Sequence, residues 1–268
     1  MKIGFIERVI VAVDSLDAAR EQWARAGFAL APGQTEAGGI AWAGFSAGAI
    51  EIALCSAIDP EGGTLAGAIE NAAARGGGII GWVWGATEME RRAPGRVTLA
   101  GLDGQKTEAA ALAGPPAGLW WAATETRSEI ETRRSRLGRL CGPNPNSVDY
   151  LEHIVVIAPV LEDAIAAHEA LGVPCKRIRD AGNDVRQAFF KLEQTVIEVA
   201  GPGRGRAGGW GLAFMCADIR KAVATVRSGG LQATEPKPAV QGGLIARIVD
   251  PLDGVAIAFM QAPSANQA

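Results

Sequence analysis

Cysteine and histidine are both scarce in this chain of 268 residues, which has four cysteines and two histidines. The cysteines are far apart in the sequence and form no C-x-x-C pair, so we expect neither a structural zinc site nor a disulfide framework. Reduced thiols are typical of the cytoplasm, which is the location that we expect. The net charge of −3 predicts no special affinity for nucleic acid or for anionic membranes.

Long apolar runs are also absent from the sequence. No run approaches the roughly 20 residues that a transmembrane helix needs, and charged residues interrupt the N-terminal segment, which therefore lacks the apolar region of a signal peptide. Hydrophobic residues nevertheless make up 48% of the chain. This composition predicts a globular protein, organised either as one large domain or as two domains of about 130 residues each.

The sequence contains an internal repeat. Residues 6–28 (IERVIVAVDSLDAAREQWARAGF) align without a gap with residues 151–173 (LEHIVVIAPVLEDAIAAHEALGV), so that Arg8 meets His153 at an offset of 145 residues. Each copy opens with a run rich in β-branched residues, which is typical of a buried strand, and continues with apolar residues at helical spacing. Three strand-like pieces follow. A repeat at a fixed offset indicates duplicated architecture.

A further unit follows each copy. Residues 209–261 again predict a strand, a helix and three strands, and residues 78–124 form a shorter version in which Pro94 limits the helix. We therefore predict an α+β fold of four βαβββ units in two pairs, each pair a cupped mixed β-sheet with flanking helices.

The predicted boundaries follow from this arrangement. The first pair of units covers residues 1–124 and the second pair covers residues 149–263. A linker at 125–148 contains a charged stretch of helical character and the turn signal GPNPNS. Residues 264–268 form a tail.

The four paired units resemble the vicinal oxygen chelate superfamily, which includes glyoxalase and bleomycin-resistance proteins, and look closest to its glyoxalase-like branch. DPLDGVAIAF at residues 250–259 is similar to the family's closing motif, DPxG followed by apolar positions and a glutamate. The resemblance covers roughly residues 4–124 and 149–262. It implies that each pair forms a cup for a small molecule, usually with a divalent metal held by the first and last strands of the units.

The resemblance implies that His153 and Glu198, in the third unit, are the best pair of metal ligands. Imidazole and carboxylate together suit Fe, Mn, Ni or Zn. Ala258 stands where the family's metal enzymes have glutamate, so the second cup supplies two ligands where about three are needed. A weakly bound divalent metal is therefore one hypothesis. The other is a metal-free pair, in which Glu198 orients the imidazole and raises its pKa for acid–base catalysis.

In the first unit Glu51 fits the glutamate position, but Arg8 replaces the first ligand. Two interpretations stay open: Arg8 faces Glu51 across the cup in a charge-assisted pair, or it points outward as a solvated charge. His168 occupies the position of Trp23 in the first copy, which indicates a packing role.

Four further residues are candidates for substrate binding. Trp82 and Trp84 alternate along a predicted strand and so share one face, where they either line a pocket or belong to the core. Arg186 and Arg247 lie in other predicted strands, and one of them could face the cup and hold a carboxylate.

We expect a small-molecule enzyme of glyoxalase-like type. Its reaction would be lyase or isomerase chemistry by proton transfer beside a carbonyl, in the cup around His153 and Glu198. The alternative is a metal-free binding protein that sequesters an aromatic or apolar small molecule with its tryptophans. The expected partner is a small molecule, with no nucleic acid and no membrane. A third hypothesis is that one half has a purely structural role and forms the interface of a homodimer.

Overall fold

A computed structural model gives the structure of the protein and describes residues 2–88, 95–126, 128–203, 207–240 and 242–263. These residues form two eight-stranded mixed sheets with flanking helices. The predicted α+β fold of paired, repeated units is therefore confirmed. None of the helices in these ranges is long and apolar enough to cross a membrane.

The first sheet is built from the N-terminal half. Its strands are β1 (Lys2–Ala12), β2 (Thr35–Ala37), β3 (Ile40–Ala47), β4 (Ile50–Ala57), β5 (Gly78–Glu88), β6 (Arg96–Ala100), β7 (Lys106–Leu112) and β8 (Trp120–Glu125). Their order across the sheet is β2-β3-β4-β1-β5-β8-β7-β6.

The second sheet repeats this topology. Its strands are β9 (Val148–Ile157), β10 (Arg177–Gly182), β11 (Val185–Leu192), β12 (Thr195–Gly201), β13 (Gly208–Cys216), β14 (Lys237–Pro238), β15 (Leu244–Arg247) and β16 (Ala256–Gln261). Their order is β10-β11-β12-β9-β13-β16-β15-β14. The central strands β1 and β9 each pair in parallel with the last strand of their own unit and antiparallel with the first strand of the next.

Five helices accompany the sheets: α1 (Leu16–Arg25), α2 (Thr64–Ala73), α3 (Ile130–Cys141), α4 (Leu161–Ala170) and α5 (Ile219–Ser228). The helix α3 lies in the predicted linker. In the second unit β5 ends at Glu88 and β6 begins at Arg96, so the short helix predicted before Pro94 falls on 89–94, outside the described residues.

One hydrophobic core joins the two halves. The helices α1, α4 and α5 and one face of each sheet contribute fully buried side chains to it, including Trp23, Phe45, Phe190, Phe214 and Phe259. The sheets approach so closely that a Cβ atom on Gly209 of β13 would lie 2.4 Å from the Cβ of Ile79 on β5. The opposite face of each sheet, turned away from this shared core, is called here the first cup and the second cup.

The first cup is filled by α2. Leu65, Ala66, Ile69 and Ala72 on this helix pack against apolar side chains of the sheet such as Ile10, Trp42, Ala53 and Val83, and form a separate buried cluster. Among the described residues no comparable cluster covers the second cup. The two halves therefore share a topology, but in the described residues only the first cup is filled by a helix.

The packing of α2 predicts a large effect of truncating Ile69, which is 0% exposed. Ile69→Ala should lower the free energy of unfolding by about 2–5 kcal/mol, because it removes buried methyl groups and leaves a cavity. Urea unfolding measures this change. The matched control is Ile58→Ala, since Ile58 is 56% exposed and its truncation should cost no more than about 0.5 kcal/mol. Equal effects at both positions would contradict the packing described for α2.

Candidate functional site

A β-bulge occurs at the same place in both central strands. The extra residue is Glu7 in β1, next to Arg8, and Glu152 in β9, next to His153. A bulge interrupts the strict alternation of side chains and redirects the residues around it. The duplication has therefore preserved both the bulge and the glutamate within it, while the neighbouring residue differs between the halves.

His153 and Glu198 meet in the second cup. Ile197 and Val199 belong to the shared core, so Glu198 between them points to the opposite face. The Nε2 atom of His153 lies 3.9 Å from Oε2 of Glu198. On the other side of the ring, Nδ1 contacts the carboxylate of Glu152. The imidazole therefore lies between two carboxyl groups and is only 6% exposed.

The contact with Glu152 lies on the Nδ1 side of the imidazole, so Nε2 is the ring nitrogen on the side of Glu198. Burial lowers the pKa of His153 to about 4, and the ammonium group of Lys191 contributes to this shift. The expectation that a glutamate raises this pKa is wrong in direction, because desolvation dominates.

A short hydrogen-bonded chain holds Glu198. The side-chain amide of Gln187 donates to Oε1 of Glu198, and Oε1 of Gln187 accepts from Nε of Arg179 at 3.0 Å. Burial raises the pKa of Glu198, and the guanidinium of Arg179 partly opposes this shift. The environment of His153 thus favours its neutral form, and that of Glu198 shifts its pKa upward.

The strand register places His153 in the middle of a row that crosses the second cup. The row runs through Lys191, Val196, His153, Ala213, Ala258 and Arg247. Paired residues of neighbouring strands share a face, so Arg247 faces the cup. Arg186 instead lies on the core side of β11, where it pairs with Glu162 at the start of α4. Of the two arginines considered for this role, only Arg247 is placed in the cup.

The first cup contains a buried ion pair. Nη2 of Arg8 lies 2.8 Å from Oε2 of Glu51, and the two side chains are 5% and 2% exposed. Nη1 of Arg8 donates to the carbonyl of Ala100 at 2.7 Å, and Arg136 of α3 reaches Glu51 at 3.5 Å. Burial raises the pKa of the Glu51 carboxyl, and both guanidinium groups oppose that shift. Arg8 is therefore paired across the cup and not solvated, and neither residue is accessible to a substrate.

Glu51 and Glu198 do not occupy equivalent register positions. Glu51 lies directly opposite Arg8, whereas Glu198 lies opposite Val155, two residues beyond the partner of His153. The residue that corresponds to Glu51 is Val196.

Trp82 and Trp84 are core residues. Both are 0% exposed and pack with Trp121, at ring-centroid distances of 5.4–5.5 Å, on the face of β5 that meets the second half. His168 of α4 closes this cluster at 4.9 Å from Trp121. Completely buried rings on the core side cannot line either cup, so the substrate-binding hypothesis for Trp82 and Trp84 is wrong and the core interpretation holds.

Comparison with solved structures identifies the fold. A mutant of 4-hydroxymandelate synthase from Streptomyces coelicolor superposes with a TM-score of 0.65 at 13% identity, covering 98% of this chain and 95% of that one. A xylose isomerase-like TIM barrel/4-hydroxyphenylpyruvate dioxygenase fusion protein gives a TM-score of 0.63 at 14% identity. The alignment with the fusion protein covers 98% of this chain but only 49% of the fusion protein's length.

The chain has the vicinal oxygen chelate fold. No protein-family model matches it, and comparison with curated protein sequences finds no match. The likeness to solved structures is therefore one of architecture.

A metal of the kind associated with the vicinal oxygen chelate fold does not fit the donors in the second cup. In the row that contains His153, the neighbouring strands carry Val196, Ala213 and Ala258, none of which can ligate a metal. Glu152 contacts the far side of the imidazole ring, away from Glu198. Within the ranges that the structure describes, no group of three or more His, Cys, Asp or Glu side chains is placed to hold an ion.

Sequence reasoning missed Glu152, Gln187 and Arg179. Alternation along a strand assigns neighbouring residues to opposite faces, so Glu152 could not be paired with His153 without the bulge. Gln187 and Phe189 are two residues apart in β11, so their side chains lie on the same face of the sheet. This spacing identifies Gln187 as a cup residue only when the buried face of β11 is known.

The ion pair in the first cup predicts a non-additive response to mutation. Glu51→Leu and Arg8→Met should each cost about 3–5 kcal/mol, because each removes the main partner of a buried charge, and the double variant should cost less than their sum. The free energy of unfolding in urea measures the coupling. The control is the pair of Arg186 and Glu162, which are 46% and 62% exposed, and whose coupling should be much weaker because solvent screens it. Additive losses at Arg8 and Glu51 would contradict the buried pair.

The buried histidines predict a dependence of stability on pH. Burial lowers the pKa of His168 from 6.5 to about 4, so between these values the unfolded chain binds more protons than the folded one. The free energy of unfolding should therefore fall as the pH decreases from about 6.5 towards 4, by up to about 3 kcal/mol for this group. Urea unfolding at several pH values should show a shallower dependence for His168→Gln, and an unchanged slope would contradict the assignment.

Proposed function

We propose that the protein is a small-molecule enzyme whose second cup moves a proton at a carbon beside a carbonyl group. The observation that carries this proposal is the proximity of His153 and Glu198 in the second cup, 3.9 Å apart. Burial perturbs the pKa values of both groups, and perturbed titratable groups that lie together are candidates for acid–base sites.

His153 is the base in this proposal. Its Nε2 atom carries the lone pair, and the ring is neutral near pH 7 because burial lowers its pKa to about 4. When Nε2 takes a proton the ring becomes cationic, and the carboxylate of Glu152 in contact with Nδ1 stabilises that charge. Glu152 therefore positions the ring and supports its protonated form.

Glu198 is the acid. As the carbon–hydrogen electron pair forms a carbon–carbon double bond, the carbonyl π electrons move to oxygen, where a protonated Glu198 donates a hydrogen bond. Burial favours that protonated form, and Gln187 fixes the carboxyl group. Delivering the proton from Nε2 to a different carbon, such as the γ-carbon of a β,γ-unsaturated carbonyl compound, re-forms the carbonyl group and completes an isomerisation. Passing it to a group that leaves the adjacent carbon completes a lyase reaction.

The rival function, sequestration of an aromatic compound by tryptophans, loses its main support. Trp82 and Trp84 are inaccessible in the shared core. The aromatic residue beside Glu198 on the cup side of β11 is Phe189, which is only 9% exposed. It therefore offers little surface to an aromatic ligand.

The exchange of carbon-bound hydrogen for deuterium tests the proposal. A panel of carbonyl compounds is used instead of a single substrate. A panel of small ketones, oxo acids and thioesters in deuterated water should include compounds that gain deuterium beside the carbonyl, as measured by NMR. His153→Ala should slow this exchange by at least about 100-fold, because positioned acid–base groups contribute factors of about 10²–10⁴. Glu152→Gln and Glu198→Gln should slow it to a smaller extent.

The matched control is Glu162→Gln, which changes an exposed glutamate on the opposite side of the second sheet and should leave exchange unchanged. Ligand affinity should be nearly intact in His153→Ala. Exchange that persists in this variant, or the absence of exchange with every compound of the panel, would overturn the proposed chemistry.

A further inference from the structure

We infer that the substrate of the second cup carries an anionic group, a carboxylate or a phosphate, and that Arg247 binds this group while the reacting carbon lies at His153. The inference rests on the proposed function, since it defines the position of the anion relative to the base. It goes beyond that function because it names a substrate class and a specificity-determining residue.

The charges of the second cup favour an anion. Five cationic side chains belong to the strand faces that form it: Arg177, Arg179, Lys191, Lys237 and Arg247. Two carboxyl groups, Glu152 and Glu198, adjoin the imidazole ring in the same cup. The excess of positive charge lies on a concave surface, where it attracts and concentrates anionic ligands.

Among these cations Arg247 is the one that is available to a ligand and lies in the same row as His153, since Lys237 on β14 lies beside Ile245, outside that row. Arg179 is bound to Gln187, and Nζ of Lys191 donates to the carbonyl of Gln194 at 2.8 Å. Arg177 lies over the ring of Phe189, 5.4 Å from its centroid. Within the described part of the chain, the guanidinium of Arg247 makes no hydrogen bond or ion pair.

A guanidinium without protein partners has all its donors free for a planar anion. Arginine offers them in a fork that matches the oxygens of a carboxylate or a phosphate. Arg247 can therefore bind either kind of anion.

Only small side chains lie between Arg247 and His153. Ala258 and Ala213 are the two residues that separate them along the row, and each contributes only a methyl group. Three strand spacings of about 4.8 Å place the two Cα atoms roughly 14 Å apart along the sheet. The sheet surface between Arg247 and His153 accommodates a substrate in which several atoms separate the anionic group from the reacting carbon.

Binding of unreactive probes tests the inference separately from catalysis. Hexanoate, hexyl phosphate and neutral hexanamide share a chain length and differ in the head group. Calorimetric titration at low ionic strength should show that at least one of the two anions binds about tenfold or more tightly than hexanamide. The comparison of hexanoate with hexyl phosphate identifies which anion the site prefers. Arg247→Gln should abolish this preference.

The matched control is Arg186→Gln, which removes an arginine of the same sheet on the opposite face and should leave the preference intact. His153→Ala should also retain it. Hexanamide binding as tightly as both anions, or an anion preference unchanged in Arg247→Gln, would overturn the inference.

The two proposals can fail independently. Deuterium exchange that depends on His153 but is equally fast with neutral and anionic carbonyl compounds would retain the proposed function and reject the role of Arg247. An anion preference that depends on Arg247, with no exchange in any compound, would reject the proposed function and leave an anion-binding cup.

Discussion

The alternation of side chains along β1 and β9, interrupted in each strand by a bulge at the equivalent glutamate, is the constraint on which both cups depend. Each strand must send one set of residues into the shared core and the other into its cup. The bulge changes this assignment locally, so that a glutamate adjoins the central cup residue in both halves. In β9 this geometry brings the carboxylate of Glu152 to the ring of His153. The proposed chemistry follows from that contact and from the cup face beside it.

The duplicated halves show two solutions to the problem of a polar group on a buried strand. In the first cup α2 excludes solvent, and the resulting cost of burying Glu51 is offset by Arg8 and Arg136. In the second cup no helix of the described chain covers the sheet. The side chain beside Glu198 is the imidazole of His153, which is neutral near pH 7, and not a guanidinium group. The first arrangement is suited to stability and the second to reactivity, although the backbone topology is the same.

The central parts of the fold and of the site could be predicted because they depend on local pattern. The offset of 145 residues aligns His153 with Arg8 in the repeat, and the family resemblance pairs His153 with Glu198, whereas the sequence left open whether Arg8 faces Glu51. Three features could not be predicted in this way. The direction of the Trp82 side chain depends on which side of β5 meets the second half. The filling of the first cup depends on where α2 packs. The position of the Glu152 side chain depends on a bulge. Each is decided by contacts between residues distant in sequence.

The sequence by itself therefore determined the repeat, the fold class and the identities of the groups that can carry chemistry, since hydrophobic periodicity and residue type are local properties. Only the tertiary structure decided which cup a helix fills, which arginine faces the second cup and which state the histidine favours. Burial, charge and distance set these outcomes, and they act through space between strands that the chain brings together. Arg186 and Arg247 illustrate the difference: both lie in strands, but the face that each strand turns to the core sends one to Glu162 and the other into the cup.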